Sequence, residues 1–188
     1  MMFALSERAQ DFITRTQAFI QQEIEPIEKA FWDEVHQLNV DGDWTKWQWP
    51  AQLEQLKTKA KAAGLWNMFL PDAELGAGLS VQEYAHIAEL TGRSLLAPTV
   101  FNCNAPDSGN MELLWRYGSR EQKQQWLQPL LNGDIRSVFC MTEPAVASSD
   151  ATNMQATAVI DGDEIVLNGR KWWSSGLGDP NAKVIIFM

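Results

Sequence analysis

Apolar residues recur at three- and four-residue steps over the first two-thirds of the chain, then at two-residue steps after about Arg136. The first spacing predicts helices with one buried face, the second predicts strands. Ala9, Phe12, Ile13, Phe19, Ile20, Ile24 and Ile27 follow the helical spacing, and Ser6 is placed to cap the start. Pro26 predicts a kink or a restart, because it has no amide hydrogen to give a continuing helix. Asn39 to Trp49 is polar and aromatic, contains Asp41-Gly42-Asp43, and reads as a loop. Pro50 suits the first turn of a helix carrying Leu53, Leu56 and Ala60, with Gly64 just past its end. After a second loop, Leu70 to Gly78, the run Ser80-Val81-Gln82-Glu83 is a capping box ahead of Tyr84, Ile87 and Leu90. Gly118 closes the next helix. Ser119-Arg120-Glu121-Gln122 is a second capping box, opening a helix with Trp126, Leu127, Leu130 and Leu131.

Beyond the change of period, Ala156 to Ile160 and Ile165 to Leu167 flank Asp161-Gly162-Asp163, a hairpin signal. Asn168-Gly169 predicts a second turn, and Lys183 to Met188 a strand. That strand stays apolar to the last residue, so the sequence reads as cut, not finished. The expected fold class is α+β. An all-α helical domain over residues 1–135 is followed over 136–188 by the first strands of an antiparallel, β-barrel-like domain.

Composition excludes several classes. The chain has 188 residues, 45% of them hydrophobic, which is enough for a globular core. A net charge of −9 with no basic stripe argues against nucleic-acid binding. Cys103 and Cys140 form no CxxC or disulfide framework, and His36 and His86 lie far apart, without metal-ligand spacing. No apolar run approaches the ~18 residues of a membrane helix. Met1 to Arg8 shows no signal or arginine-rich transit pattern, so the expected location is cytoplasmic if the source is bacterial. Most of the nine tryptophans read as packing residues.

Candidate chemistry lies near the C-terminus. Thr142-Glu143-Pro144 leaves a strand and enters the small-residue loop Ala145 to Ser149. Small side chains let backbone amides approach a ligand, and hydroxyls add donors. On composition alone, a plain surface turn accounts for this loop better. Cys140 reads as a core strand residue, with no histidine near it to activate a thiol.

A resemblance to the acyl-CoA dehydrogenase family changes that balance. It rests on three linked runs: Phe139-Cys140-Met141-Thr142-Glu143-Pro144 with its loop to Asp150, Asn168-Gly169-Arg170-Lys171-Trp172-Trp173-Ser174-Ser175-Gly176, and Gly118 to Gly133. The first two resemble the family's flavin-binding segments, and the third the helix before them. Val146 to Asp150 and Trp172 to Gly176 are most similar to the eleven-type branch. The family's second segment has the form Lys-x-Trp-x-Thr/Ser-x-Gly.

The resemblance implies bound FAD, an acyl-CoA substrate oxidised to its trans-2-enoyl-CoA, and reoxidation by an electron-transferring flavoprotein. It also implies a homodimer or homotetramer at full length. Phe139, Met141 and Thr142 are expected to line the flavin ring, and Trp172 to pack on it with Trp173 beside it. Ser174 is expected near the ring nitrogen that receives hydride. Ser149 is expected to bond both the cofactor region and the CoA portion of the substrate. The loop reads as one residue longer than Gly-Ala-Gly-Ser-Asp, so Ser148 is the alternative to Ser149. Glu143 belongs to the family's structural turn, and the catalytic base is expected beyond Met188. A non-catalytic helical module of this fold, an acyl-CoA oxidase and a flavin monooxygenase stay open as alternatives.

Overall fold

The computed structural model describes residues 4–188. Helix α1 spans Glu7–Phe19 and begins where the Ser6 hydroxyl accepts the Ala9 amide at 3.1 Å. It loosens into a π-turn at Ile20–Ile24, breaks around Pro26, and restarts as α2 at Glu28–Leu38. The break follows from the proline, whose ring cannot sit against the carbonyl of a continuing helix. Helix α3 spans Gln52–Ala62, and Gly64 follows it with φ +65°. Helix α4, Val81–Thr91, opens with the expected capping box: the Ser80 hydroxyl accepts the Glu83 amide, and the Glu83 carboxylate accepts the Ser80 amide at 3.0 Å. Then come α5 (Ala97–Val100), α6 (Asp107–Tyr117, closed by Gly118), α7 (Arg120–Gln122, opened by the second capping box), a π-turn at Lys123–Leu127, and α8 (Gln128–Asn132).

Phe19, Ile24, Phe31, Leu53, Ile87 and Phe101 anchor one buried cluster, drawn from α1 to α5. A second cluster joins Leu70 to Met111, Leu114, Leu127 and Leu130, with Val184 packed on it from the strand region. The strands therefore sit on the helices. Strand β1 (Arg136–Cys140) is fixed to α6 by buried Asp107, which accepts the Ser137 amide at 2.7 Å and hydroxyl at 2.6 Å and pairs with the Arg136 guanidinium. Asn110 completes this network by donating to the Ser137 hydroxyl at 2.8 Å.

Strands β2 (Thr157–Asp161) and β3 (Glu164–Asn168) form the expected antiparallel hairpin about Gly162, with Ile160 opposite Ile165. The expectation of an antiparallel sheet does not hold for the other pair. Strand β4 (Ala182–Phe187) runs parallel to β1, with Val138 opposite Ile185. Parallel neighbours need a long crossover, and the loop and hairpin between β1 and β4 supply it. Asn168-Gly169 is not a turn either: Asn168 ends β3 and Gly169 follows it without a turn. Its lack of a side chain matters because a Cβ there would come within 2.6 Å of the Ala156 Cβ. The left-handed residue of this segment is Trp173, with φ +58°.

Candidate functional site

The two candidate binding segments are joined by a buried ion pair. Lys171 Nζ lies 2.8 Å from Glu143 Oε1, with side chains only 5% and 4% exposed. Glu143 also accepts the Gln155 amide at 2.7 Å and the Ala156 amide at 2.9 Å. Lys171 donates to the Met141 carbonyl at 2.9 Å, and the Trp172 amide donates to the Thr142 carbonyl at 3.0 Å. The Lys171 hydrogen bond, followed by the two amides, pulls the Glu143 carboxyl down to about 2. A carboxylate held this way stays ionised at neutral pH and is a weak proton acceptor. Glu143 is a staple between segments and not a base.

The small-residue loop sorts its two serines. Ser148 is buried, and its hydroxyl accepts the Glu143 amide at 2.8 Å, closing the loop on itself. Ser149 is exposed, beside Asp150, whose carboxylate caps the short turn after it through the Thr152 amide at 3.0 Å. Phe139, Met141 and Thr142 are half-buried along the strand exit. Cys140 is buried in β1 among core residues.

Trp172 and Trp173 are 45% and 78% exposed, which is unusual for adjacent indoles, and their rings lie 5.6 Å apart with a tilt of 50°. In extended chain, neighbouring side chains point to opposite faces. Trp173 instead has φ +58°, and the two rings lie side by side. Such a conformation costs a bulky residue about 1–2 kcal/mol and tends to persist at functional segments. The Ser174 hydroxyl turns back to the Trp172 carbonyl at 3.5 Å. Ser175 is exposed and opens the short 3-10 turn Ser175–Gly178. Ser175 lies at a motif position that differs from the expected Ser174. Counted from Lys171, the spacing Lys-x-Trp-x-Ser falls on Trp173 and Ser175.

A cavity of about 840 Å³ lies between the helices and this turn. Trp47, Trp49, Tyr84 and Leu95 line it from the helical side, Ser175 and Gly176 from the other. Trp47 and Trp49 belong to the loop before α3, where no periodicity marked them as wall residues. Burial pushes the Tyr84 hydroxyl upward and the neighbouring Cys103 thiol up to about 11, so both stay neutral. Among the described residues no group of acidic, histidine or cysteine side chains has metal-site geometry, and no helix is long and apolar enough to cross a membrane.

Residues 6–134 match the model of the acyl-CoA dehydrogenase N-terminal domain, and residues 138–188 that of the middle domain. The chain belongs to the acyl-CoA dehydrogenase family. It is 51% identical over 187 residues to acyl-CoA dehydrogenase family member 11 of Rattus norvegicus, covering 100% of this chain and 23% of the rat protein. A solved structure assigned to the acyl-CoA dehydrogenases, from Mycobacterium abscessus, superposes with a TM-score of 0.91 at 62% identity, over 98% of this chain and 46% of that one. A glutaryl-CoA dehydrogenase from Mycobacterium smegmatis, solved in complex with FADH2, shares the fold, with a TM-score of 0.61 at 24% identity over 90% of this chain and 39% of that one. The chain thus spans less than half the length of each of these relatives.

Proposed function

We propose that this chain is the helical and first-strand portion of an FAD-dependent acyl-CoA dehydrogenase. In this reading it holds one side of the flavin ring on its paired segments and a fatty acyl chain in the adjoining cavity. The observation that carries the reading is the Glu143–Lys171 staple, which locks the two segments together; the second of them continues to Ser175, which borders the cavity. The residues present suit a flat ring with a polar edge: two exposed indoles, and hydroxyls at Thr142, Ser149 and Ser175 with no hydrogen-bond acceptor among the described residues. When bound, FAD supplies the two-electron acceptor for oxidation of the acyl chain.

Phe139, Met141 and Thr142 border the ring, with the Thr142 hydroxyl on its polar edge. Trp172 and Trp173 exclude water there, and by spacing and exposure Trp173 is the indole that covers the ring. Ser175, in place of Ser174, donates to the ring nitrogen, since the Ser174 hydroxyl faces the Trp172 carbonyl. Ser149 binds at the CoA end, and Ser148 keeps the loop closed. The uncharged aromatic wall of the cavity suits an apolar chain. The reading also includes an electron-transferring flavoprotein as electron acceptor, a homodimer or homotetramer as the assembly, and a base outside the residues described above.

The test is made on the full-length protein. It is expected to carry a visible flavin absorption that bleaches anaerobically with a fatty acyl-CoA and returns with an electron-transferring flavoprotein. Absence of flavin would favour a non-catalytic module, and fast reoxidation by oxygen an oxidase or monooxygenase. Ser175→Ala is expected to weaken the flavin by about 0.5–1.5 kcal/mol, the worth of one hydrogen bond. A larger loss in Ser174→Ala would return that role to Ser174. Ser149→Ala is expected to weaken acyl-CoA binding by a similar amount, whereas Ser148→Ala acts on folding, because it leaves the buried Glu143 amide without its acceptor.

A further inference from the structure

A second cavity, of about 450 Å³, adjoins the first. The two share four wall residues: Trp47, Trp49, Arg136 and Asp179. Trp49 is the best fixed of them. Its ring stacks on Phe31 at 6.5 Å and 23°, and meets Trp32 and Trp47 edge-on at 6.4 and 5.8 Å. Its indole N–H donates to Asp179 Oδ2 at 3.1 Å, across 130 residues of chain. Asp179 is itself held. Its Oδ1 accepts the Asn181 amide at 2.8 Å, and its own amide donates to the Gly176 carbonyl at 3.1 Å. The indole is therefore positioned from two directions, by the aromatic core of the helices and by the turn that carries Ser175. The charges nearby are engaged, Arg136 with Asp107, Asp179 with Trp49 and, in the second cavity, Lys57 with Glu54, so the partition presents mainly aromatic faces.

We propose that Trp49, pinned by Asp179, is a specificity-determining partition that sets how long an acyl chain the site accepts. This rests on the reading of the first cavity as the acyl site. With the indole in place the chain tail stops at the aromatic wall. With the indole removed, the two spaces join and the tail extends into the second along Pro50, Ala51 and Leu53, beside the polar Gln48 and Asn181 and the Lys57–Glu54 ion pair. A straight saturated tail is the occupant that fits against the partition, because a polar end group stopped there would meet the faces of Trp47 and Trp49.

The test uses the flavin-loaded full-length protein and a series of saturated straight-chain acyl-CoAs of increasing length. For the wild type, KM falls with each methylene and then levels off at the length that fills the first cavity. In Trp49→Ala the levelling-off is expected at a longer chain, with KM lower by about fourfold for each further methylene that finds an apolar place. Trp49→Phe keeps an aromatic ring in the cluster without the pin, and Asp179→Ala keeps the indole but removes the pin together with the acceptor of the Asn181 amide. They guard against a Trp49→Ala protein that does not fold, which its flavin absorption would reveal. A longer limit in any flavin-loaded variant supports the partition. An unchanged limit in all flavin-loaded variants overturns it. If the wild type turns over no acyl-CoA at any length, the acyl-site reading fails first and the partition fails with it, so the two failures are distinguishable.

Discussion

Glu143 is removed from acid–base chemistry by its own partners, and this makes its staple measurable through pH. Its folded-state carboxyl sits at about 2 against an ordinary value of 4.5. A group depressed on folding adds stability that is fully present above its unfolded value and lost as the pH falls through the folded one. The window is therefore from about 4.5 down to about 2. Glu83 is also drawn down to about 2, by Ser6 and Ser80, and titrates across the same window. Comparison with a variant separates the two. Glu143→Gln is expected to be less stable than wild type at pH 7 and to lose less stability on acidification to pH 3. Urea unfolding at both pH values checks this, and equal losses in the two proteins would show that Glu143 is not proton-linked to folding. The sequence made Glu143 readable as a turn residue, but not its partner. Lys171 lies 28 positions away, and only the fold brings the two together. Trp49 is the same case on a larger scale, since no local pattern tells that a loop indole will reach Asp179.

Among the elements, those set by local rules were legible and those set by distant pairing were not. Both capping boxes, the break at Pro26, the hairpin about Gly162 and the glycine after α3 each follow from a few neighbouring residues. The parallel pairing of β1 with β4 depends on where a long connection returns, which no window of sequence contains. Asn168-Gly169 misled because glycine serves two purposes, positive φ and close approach, and here the second applies. Gly133 combines both. It closes α8 with φ +76°, and an added Cβ would meet Trp66 Cζ2 at 2.8 Å. The Trp66 indole is tied to the Leu131 carbonyl at 2.7 Å, so it cannot retreat without losing that bond. Gly133→Ala is expected to lower unfolding stability by about 1–2 kcal/mol from the left-handed backbone alone, with the Trp66 clash adding to it. Urea titration checks this, and an unchanged midpoint would show that the α8 to β1 corner relaxes freely.

At the scale of the whole molecule, the Asp107–Arg136–Ser137 network and the Trp49–Asp179 bond tie the helical part to the strand part, beside the Val184 packing, and the cavity lies between these two polar ties. In the proposed reading the chain supplies a wall of the acyl site, and among the described residues the carboxylates at or near the cavity are all engaged. A general base must stand within about 2.6–3.2 Å of the proton it removes, or one water away. Asp179 is the one carboxylate lining the cavity among the described residues, and both of its oxygens are engaged, by Trp49 and by the Asn181 amide. Asp107 behind it is 1% exposed and paired with Arg136, and Glu143 is held ionised in its staple. None can approach an acyl α-carbon in the cavity without breaking the contacts that hold the site together. The 188-residue chain, supplied with FAD, a series of acyl-CoAs and an artificial electron acceptor, is accordingly expected to give no turnover above a flavin-only control. It is expected nonetheless to bind acyl chains, read as a change in tryptophan fluorescence, because Trp47 and Trp49 line the cavity. Turnover by this chain would mean that one of its engaged carboxylates is released during reaction. Asp179→Asn would then identify it, since Asp179 alone borders the cavity and its amide would abolish that turnover while retaining an oxygen for the Trp49 indole.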